Sequence, residues 1–364
     1  MMIPFQACLR GIPVSSELDN WRGWPDFTPK DLKFLDRQTA LLYQTTRDLL
    51  TRDFPRTSAA VHIAVGPART ELETMMRWAN RITADEPLPM VQPAGAVGLL
   101  PNTPLSWLSI KLGLTGEGSV WAGFEEAGYA ALSAARDALQ LNVYDEALVA
   151  AVSSPHSYFV LDGFKRGFYA PVPPLTEVCV AFRLFSPPRD EKSETTEDQE
   201  NHKGHENQGS HKQAELERLP RLIALEDFPA GTSVPKMLSA LFSFLPESEG
   251  ISPNTAAVSS FSAEEAVIDG LDERRDLSNH FGAAMPAALP LAICLAGHGV
   301  FGYRPIPILL AAPFGAICAA LVLPGIPTTE IKENPSHFPP GLTPLSLAEY
   351  AVRSCGTRRQ RGEN

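Results

Sequence analysis

The sequence has few basic residues and no clustered cysteines, and both shortages exclude common classes of protein. Lysine and arginine number 31 against 42 aspartates and glutamates, and the formal net charge is −11. A nucleic-acid-binding surface requires clustered lysine and arginine, so no nucleic-acid partner is predicted. The five cysteines are scattered along 364 residues without CxxC spacing. This spacing predicts reduced thiols in a cytoplasmic protein rather than a disulfide framework or a zinc site.

Long uninterrupted apolar runs are scarce as well. The first residues, MMIPFQACLRGIPV, contain too short an apolar run for the hydrophobic core of a secretory signal. Two almost uncharged segments, residues 282–303 and 306–326, are interrupted by prolines. Because a membrane-spanning helix needs about 20 apolar residues, a buried helix followed by two core strands is favoured, and no stable membrane insertion is expected. Membrane association through residues 282–326 remains the alternative.

Residues 187–215 contain almost no apolar side chains. Such a segment cannot bury enough apolar surface to fold, so it is predicted to be a disordered insertion. It contains His202, His205 and His211. A solvated linker is favoured over a metal-binding tract, and neither a metal site nor a cofactor is predicted.

A strand, a sharp turn and a helix are predicted for the stretch LGLTGEGSVWAGFEEAGYAALSAARDAL, residues 112–139. A short β-compatible segment leads to Gly123, which permits an abrupt turn, and an alanine-rich helical pattern begins at Glu125. The closely packed face of this helix is predicted to contain Ala127, Ala131, Ala134 and Ala138. Enzymes of the α/β class often place a nucleophile at such a helix N-terminus. This turn holds Phe124, Glu125 and Glu126 instead, and none of them is a nucleophilic serine or cysteine.

Further apolar runs predict buried strands that alternate with helices. These strands are expected at residues 3–8, 59–65, 147–152, 178–185, 306–311 and 317–323. His62 lies inside an apolar strand and is interpreted as a core histidine without a functional role. Thr28 and the following Pro-Lys-Asp form a capping signature, which predicts a helix from Thr28 to about residue 50. Residues 246–261 are predicted to form a loop. The strand at 147–152 follows the alanine-rich helix directly, so it should run parallel to the strand before that helix.

Five segments, taken in order along the chain, form a recognisable series of motifs. They are NTPLSWLSIKLGLTGEG (102–118), the strand-turn-helix corner (119–132), DEALVAAV (145–152), NHFGAAMPAALPLAICL (279–295) and PFGAICAALVL (313–323). This series resembles the β-ketoacyl synthases of the thiolase-like superfamily, and especially the chain-length factors and β-ketoacyl-synthase-like N-terminal domains. The resemblance covers residues 1–326 and implies one α/β domain of five α/β/α/β/α layers with two similar halves. Residues 327–364 are interpreted as a polar C-terminal tail.

The resemblance also implies where the active-site residues would lie. Active members of the family carry a nucleophilic cysteine at a helix N-terminus, and in this sequence that register falls on Glu125. His280 corresponds to the second of the family's two catalytic histidines, while the first, in a His-Gly-Thr-Gly-Thr loop, has no counterpart. The acyl pocket and the closing loop are expected to contain Phe124, Phe314 and Gly315. Claisen condensation by this chain alone is therefore not expected.

The function implied by the resemblance is that of a non-condensing subunit. Such a subunit would pair with an active ketosynthase in fatty-acid or polyketide biosynthesis of the type II or aryl-polyene kind, and would shape the acyl pocket. The pairing strand would consist of Ser119, Val120, Trp121 and Ala122. An acyl carrier protein would dock transiently, and candidates for a basic docking patch are Lys165, Arg166, Arg274 and Arg275. The alternative is a residual decarboxylase or acyltransferase that depends on acyl carrier protein and uses Glu125 and His280.

Overall fold

The computed structural model describes residues 2–13, 27–31, 35–50, 59–65, 79, 83, 100, 102–154, 176–187, 216–229, 231–245, 255–260, 273–276, 285–299, 304–311 and 317–325. Several of the predicted features lie outside the described residues. They are His280, Phe314, Gly315, Lys165, Arg166, the histidine-containing insertion after Pro187 and the C-terminal tail.

The six strands predicted from the apolar runs are confirmed, and the described residues contain four further strands. The strands are β1 (Ile3–Pro13), β2 (Ala60–Val65), β3 (Gly118–Ala122), β4 (Glu146–Ser153), β5 (Thr176–Phe185), β6 (Arg221–Phe228), β7 (Thr255–Ser260), β8 (Glu273–Asp276), β9 (Ile306–Ala311) and β10 (Ile317–Leu323). The helices are α1 (Arg37–Leu49), α2 (Thr103–Leu112), α3 (Glu125–Gln140), α4 (Val234–Phe242) and α5 (Ala288–Gly297). A turn of 3₁₀-helix, Met285–Ala287, leads into α5.

The two halves of the chain have the same sheet topology. The described strands form one ten-stranded sheet in the order β3-β2-β4-β5-β1-β6-β10-β9-β7-β8. When each half is numbered from its own first strand and read outward from the centre, both halves have the order 1-5-4-2-3. The fifth strand of each half pairs antiparallel with the first and the fourth, and the second pairs parallel with the third and the fourth. β1 and β6 pair antiparallel and join the halves. The predicted internal similarity is therefore confirmed.

The five predicted layers follow from the alternation of side chains along the strands. In β4, Ala147, Val149 and Ala151 belong to a central apolar cluster that also contains residues of α3, α5 and the second-half strands. The intervening residues of β4, among them Leu148, contribute to an outer cluster with α1 and α2. A third cluster lies between the second-half strands and α4. The layers are therefore α1 and α2, the first half-sheet, α3 and α5, the second half-sheet, and α4.

Two buried glutamates of the first half are held by arginines. Glu177 on β5 is fully buried and accepts hydrogen bonds from Nε and Nη2 of Arg37 at 2.7 Å each, and from the Ser154 hydroxyl at 2.6 Å. Glu146 on β4 accepts from Nε and Nη2 of Arg183 at 2.7 and 3.2 Å. Such bidentate pairs compensate the cost of removing both charges from water.

Three predictions from the sequence need correction. The regular part of the first helix begins at Arg37 rather than Thr28, because the Thr28 and Asp31 side chains close a local turn on each other. The region 246–261, predicted as a loop, contains β7. In α3, Ala135 is fully buried, whereas Ala134 and Ala138 are only half-buried.

The apolar segments near the C-terminal end of the domain are core elements, as the sequence favoured. All of α5 is buried, and β9 and β10 pair antiparallel beside it. Across the ranges that the structure describes, no helix combines the length and the apolar character needed to cross a bilayer.

Candidate functional site

The strand-turn-helix corner forms as the sequence predicts. β3 ends at Ala122, the Gly123 N–H donates to the Val65 carbonyl at 3.2 Å, and α3 begins at Glu125. Phe124 is the half-buried N-cap residue, and its N–H donates to Oε1 of Glu126 at 3.3 Å. Glu126 thus satisfies the backbone N–H of the cap residue, as the acidic residue of a capping box does.

Glu125 is the buried acid of this corner, with 1% of its surface exposed. Its Oε2 atom is buried and has no hydrogen-bond partner among the residues that the structure describes. The pKa of Glu125 is raised to about 8, chiefly by burial and also by the nearby charge of Glu126, while a hydrogen bond from the backbone N–H of Glu125 opposes the shift. The carboxyl is therefore mostly protonated at pH 7, and it can donate a hydrogen bond.

The structure adds Cys318 to the surroundings of this carboxyl. Cys318 lies on β10 directly opposite Asp227 on β6, and the Tyr129 hydroxyl of α3 donates to Oδ1 of Asp227 at 3.1 Å. The pKa of the Cys318 thiol is raised to about 12, chiefly by burial and also by the charges of Glu126, Asp227 and Glu125. Cys318 is consequently a neutral thiol rather than a thiolate nucleophile. The sequence could not reveal it, because the approach depends on pairing between strands far apart along the chain.

β3 is an edge strand of the described sheet and hydrogen-bonds only to β2 in that sheet. The Trp121 side chain is 38% exposed, and its Nε1–H donates to the Ser119 hydroxyl at 2.8 Å. The same hydroxyl lies 2.7 Å from Nδ1 of His62 on β2. His62, interpreted from the sequence as a core residue, is buried, and one of its ring nitrogens contacts this edge strand.

The site residues expected from the sequence fall into three groups. Phe124 and Glu125 meet at the corner, and the four residues of the expected pairing strand all lie in β3. Arg274 and Arg275 lie in β8, at the opposite end of the sheet. His280, Phe314 and Gly315 are outside the described residues. No cluster of three or more potential metal-ligating side chains occurs in the part of the chain that the structure describes.

Comparisons with known proteins identify the fold. No family model and no curated protein matches the chain. A type II polyketide synthase acyl-carrier protein in complex with its ketosynthase bound to the hexaketide matches with a TM-score of 0.63 and 12% identity, over 89% of this chain and 99% of that chain. The ishigamide ketosynthase/chain length factor matches with a TM-score of 0.57 and 14% identity, over 86% of each chain. The chain has the thiolase-like fold of ketosynthases and chain length factors.

A third structure extends the likeness to ketosynthases of modular synthases. The ketosynthase from module 6 of the bacillaene synthase of Bacillus subtilis 168 matches with a TM-score of 0.53 and 13% identity, over 91% of this chain and 71% of that chain. The thiolase-like fold predicted from the ordered motifs is confirmed. At these identities the likeness concerns the fold, so the function must be argued from the site.

Proposed function

We propose that the chain is a non-condensing ketosynthase-like subunit, which pairs with an active ketosynthase and shapes the pocket for its growing acyl chain. The observation that carries this proposal is the buried Glu125 at the first position of α3, where the family resemblance expects the nucleophilic cysteine. A carboxyl at this position cannot form the thioester that condensation requires. The neutral thiol of Cys318 does not replace it, because burial and the surrounding carboxylates suppress its ionisation.

The edge strand β3 supports the partnership. An edge strand presents unpaired backbone N–H and carbonyl groups, which an additional strand can satisfy. Ser119 accepts the Trp121 indole N–H, so Trp121 can present its apolar ring to a partner without leaving a polar atom unpaired. Antiparallel pairing of β3 with the equivalent strand of a ketosynthase would extend the sheet across the two subunits. An acyl carrier protein would then deliver the acyl chain to the assembled pair.

Co-expression with an active ketosynthase tests the partnership. We expect the two chains to co-purify and to elute together in size-exclusion chromatography, and we expect Trp121→Asp to abolish co-elution. Phe244→Asp is the matched control, because Phe244 is an aromatic residue that is 45% exposed and follows α4 in the second half of the chain. A chain that remains monomeric beside every ketosynthase tested would contradict the proposal.

One observation favours a second function, decarboxylation of malonyl-acyl carrier protein. An ionised Glu125 would repel the malonate carboxylate, but the raised pKa keeps Glu125 mostly neutral at pH 7. In this reaction the bond between the carboxylate and the α-carbon breaks, carbon dioxide leaves, and the resulting enolate takes a proton from Glu125, which water then reprotonates. The products are carbon dioxide and acetyl-acyl carrier protein.

The two functions differ in their dependence on Glu125. Decarboxylation should occur with the isolated full chain and should decrease about a hundredfold in Glu125→Ala, as expected for loss of a positioned general acid. Equal turnover of malonyl-acyl carrier protein by the wild type and Glu125→Ala would exclude this second function.

A further inference from the structure

Three of the large apolar side chains that are exposed in the described residues lie beside one cleft. Leu141 and Val143, in the turn after α3, are 75% and 57% exposed, and Phe244, after α4, is exposed as well. Gln140, the last residue of α3, lines the same cleft as Phe244. Leu141, Val143 and Phe244 therefore form an apolar rim, and a contiguous exposed apolar surface marks an interaction site.

The cleft lies along an edge of β6. This strand pairs with β1 only at Arg221 and Leu222, and beyond them it pairs with β10 alone in the described sheet. Residues 222–226 of β6 line the cleft, which has a volume of about 50 Å³. Pockets for small molecules measure about 300–1,000 Å³. The cleft therefore suits a side chain of a docked polypeptide rather than a small-molecule ligand.

The directions of α3 and β6 place the apolar rim near the start of β6. The Tyr129 hydroxyl, near the start of α3, donates to Oδ1 of Asp227, and Nη1 of Arg136, near the end of α3, donates to the Leu225 carbonyl. The helix and the strand thus run in opposite directions, and the turn after α3 lies towards the start of β6.

The described part of the chain ends at the same place. Gly325, its last residue, packs against Pro220, which immediately precedes β6, and a Cβ atom on Gly325 would lie 2.9 Å from Cδ of Pro220. Residues 326–364 follow, outside the described residues, and they contain one mostly apolar segment, LSLAEYAV at 345–352. This segment begins 20 residues after Gly325, so it can reach the rim.

The segment 345–352 has the sequence pattern of an amphipathic helix. Its two polar residues, Ser346 and Glu349, are three positions apart, and Arg353 continues the same helical face. Every other position of the segment is apolar. Residues 353–364 contain four arginines and one glutamate, whereas the whole chain has a net charge of −11. The segment thus offers an apolar face and a basic end.

We propose that residues 345–352 dock on the apolar rim and insert a side chain into the cleft, while the arginines after them face Asp137 on α3 and Glu226 on β6. Asp137 is 53% exposed and Glu226 lines the cleft, so these carboxylates complement the basic end. The tether of residues 326–344 holds the segment at an effective concentration of about a millimolar. A second copy of the chain does not reach this concentration in micromolar solution.

This docking is independent of the proposed pairing with a ketosynthase. The cleft lies at the centre of the ten-stranded sheet, whereas the expected pairing strand β3 lies at its edge. The segment can therefore occupy the rim in the isolated chain.

Cross-linking of the full chain tests the docking. Cys355 lies three residues after the segment, and the other four cysteines are buried, so a bismaleimide reagent can link Cys355 to one introduced thiol. We expect Gln140→Cys, at the cleft, to form the intramolecular link about tenfold faster than Ser106→Cys, an exposed position on α2 in an outer layer. A tenfold preference corresponds to about 1.4 kcal/mol of docking free energy. Mass spectrometry of proteolytic fragments identifies the linked pair.

Substitutions in the segment provide matched controls. In the Gln140→Cys background, Leu347→Asp places a charge on the apolar face and should reduce the rate to that of Ser106→Cys. Ser346→Asp adds the same charge to the polar face and should leave the rate unchanged. Equal rates for Gln140→Cys and Ser106→Cys, or for Leu347→Asp and Ser346→Asp, would overturn the inference. Links that join two molecules would assign the rim to a second copy and would also overturn it.

Discussion

The Nδ1 atom of His62 on β2 lies 2.7 Å from the Oγ atom of Ser119 on the parallel edge strand β3. This oxygen also accepts the Trp121 indole N–H at 2.8 Å, so Ser119 connects the His62 ring to the Trp121 side chain. A buried neutral histidine therefore helps to hold the edge strand, and through Ser119 it helps to orient the exposed Trp121.

This arrangement predicts that stability decreases in mild acid. Burial lowers the pKa of His62 below its usual value of 6.5, although the charge of Glu117 opposes the shift. A lowered histidine pKa contributes stability above pH 6.5, and that contribution is lost as the pH falls towards the folded-state pKa. Urea unfolding at pH 7.5 and 5.5 should show a larger decrease in unfolding free energy for the wild type than for His62→Asn. The decreases in unfolding free energy of the two proteins should differ by at most about 1.4 kcal/mol per pH unit. Parallel pH dependence in both proteins would contradict the prediction.

Glu125 should produce the opposite pH dependence. Its pKa is raised from 4.5 to about 8, chiefly by burial, and Glu126 and Cys318 are titratable neighbours among the described residues. The folded state retains the proton that the unfolded state loses, so stability decreases as the pH rises from 4.5 to 8. Glu125→Gln removes this titration. The unfolding free energy of Glu125→Gln minus that of the wild type should therefore increase with pH, by up to about 1.4 kcal/mol per pH unit. A constant difference between pH 5 and 8 would show that Glu125 titrates normally.

Loss of the buried Arg37–Glu177 pair should destabilise the fold much more than loss of a surface ion pair. Arg37→Ala leaves a fully buried carboxylate without its bidentate partner, and we expect a loss of about 3–5 kcal/mol in unfolding free energy. Asp137→Asn, in a pair whose aspartate is 53% exposed, should cost less than about 1 kcal/mol. The double variant Arg37→Met/Glu177→Leu should recover much of the loss, since it removes the unpaired charge. Equal effects of Arg37→Ala and Asp137→Asn would refute this assignment.

The sequence predicted local elements well and non-local contacts poorly, and particular residues show why. The strand at 147–152 and the helix beginning at Glu125 follow from apolar periodicity, which depends on neighbouring residues. Thr28 misled the prediction of the first helix, because its capping hydrogen bonds satisfy an isolated turn and Asp36 caps the regular helix instead. The position of Cys318 near Glu125 depends on strand pairing, which local patterns do not determine.

The contact of α3 with Pro286 and Pro290 gives a last prediction, at Gly128. A Cβ atom on Gly128 would overlap the Pro286 carbonyl oxygen and would lie 2.9 Å from Cδ of Pro290 on α5. Helix propensity alone would make Gly128→Ala stabilising by about 1 kcal/mol. The overlap involves backbone and a rigid ring, which cannot move aside cheaply, so we expect a net destabilisation of roughly 1–3 kcal/mol.

Ala130→Gly, on a less buried face of the same helix, should cost about 1 kcal/mol through propensity. Thermal unfolding of both variants measures the difference. Gly128→Ala and Ala130→Gly are opposite substitutions, so helix propensity alone cannot make both destabilising. If both variants are less stable than the wild type, packing against α5 outweighs propensity at Gly128. A stabilised Gly128→Ala would refute the close contact.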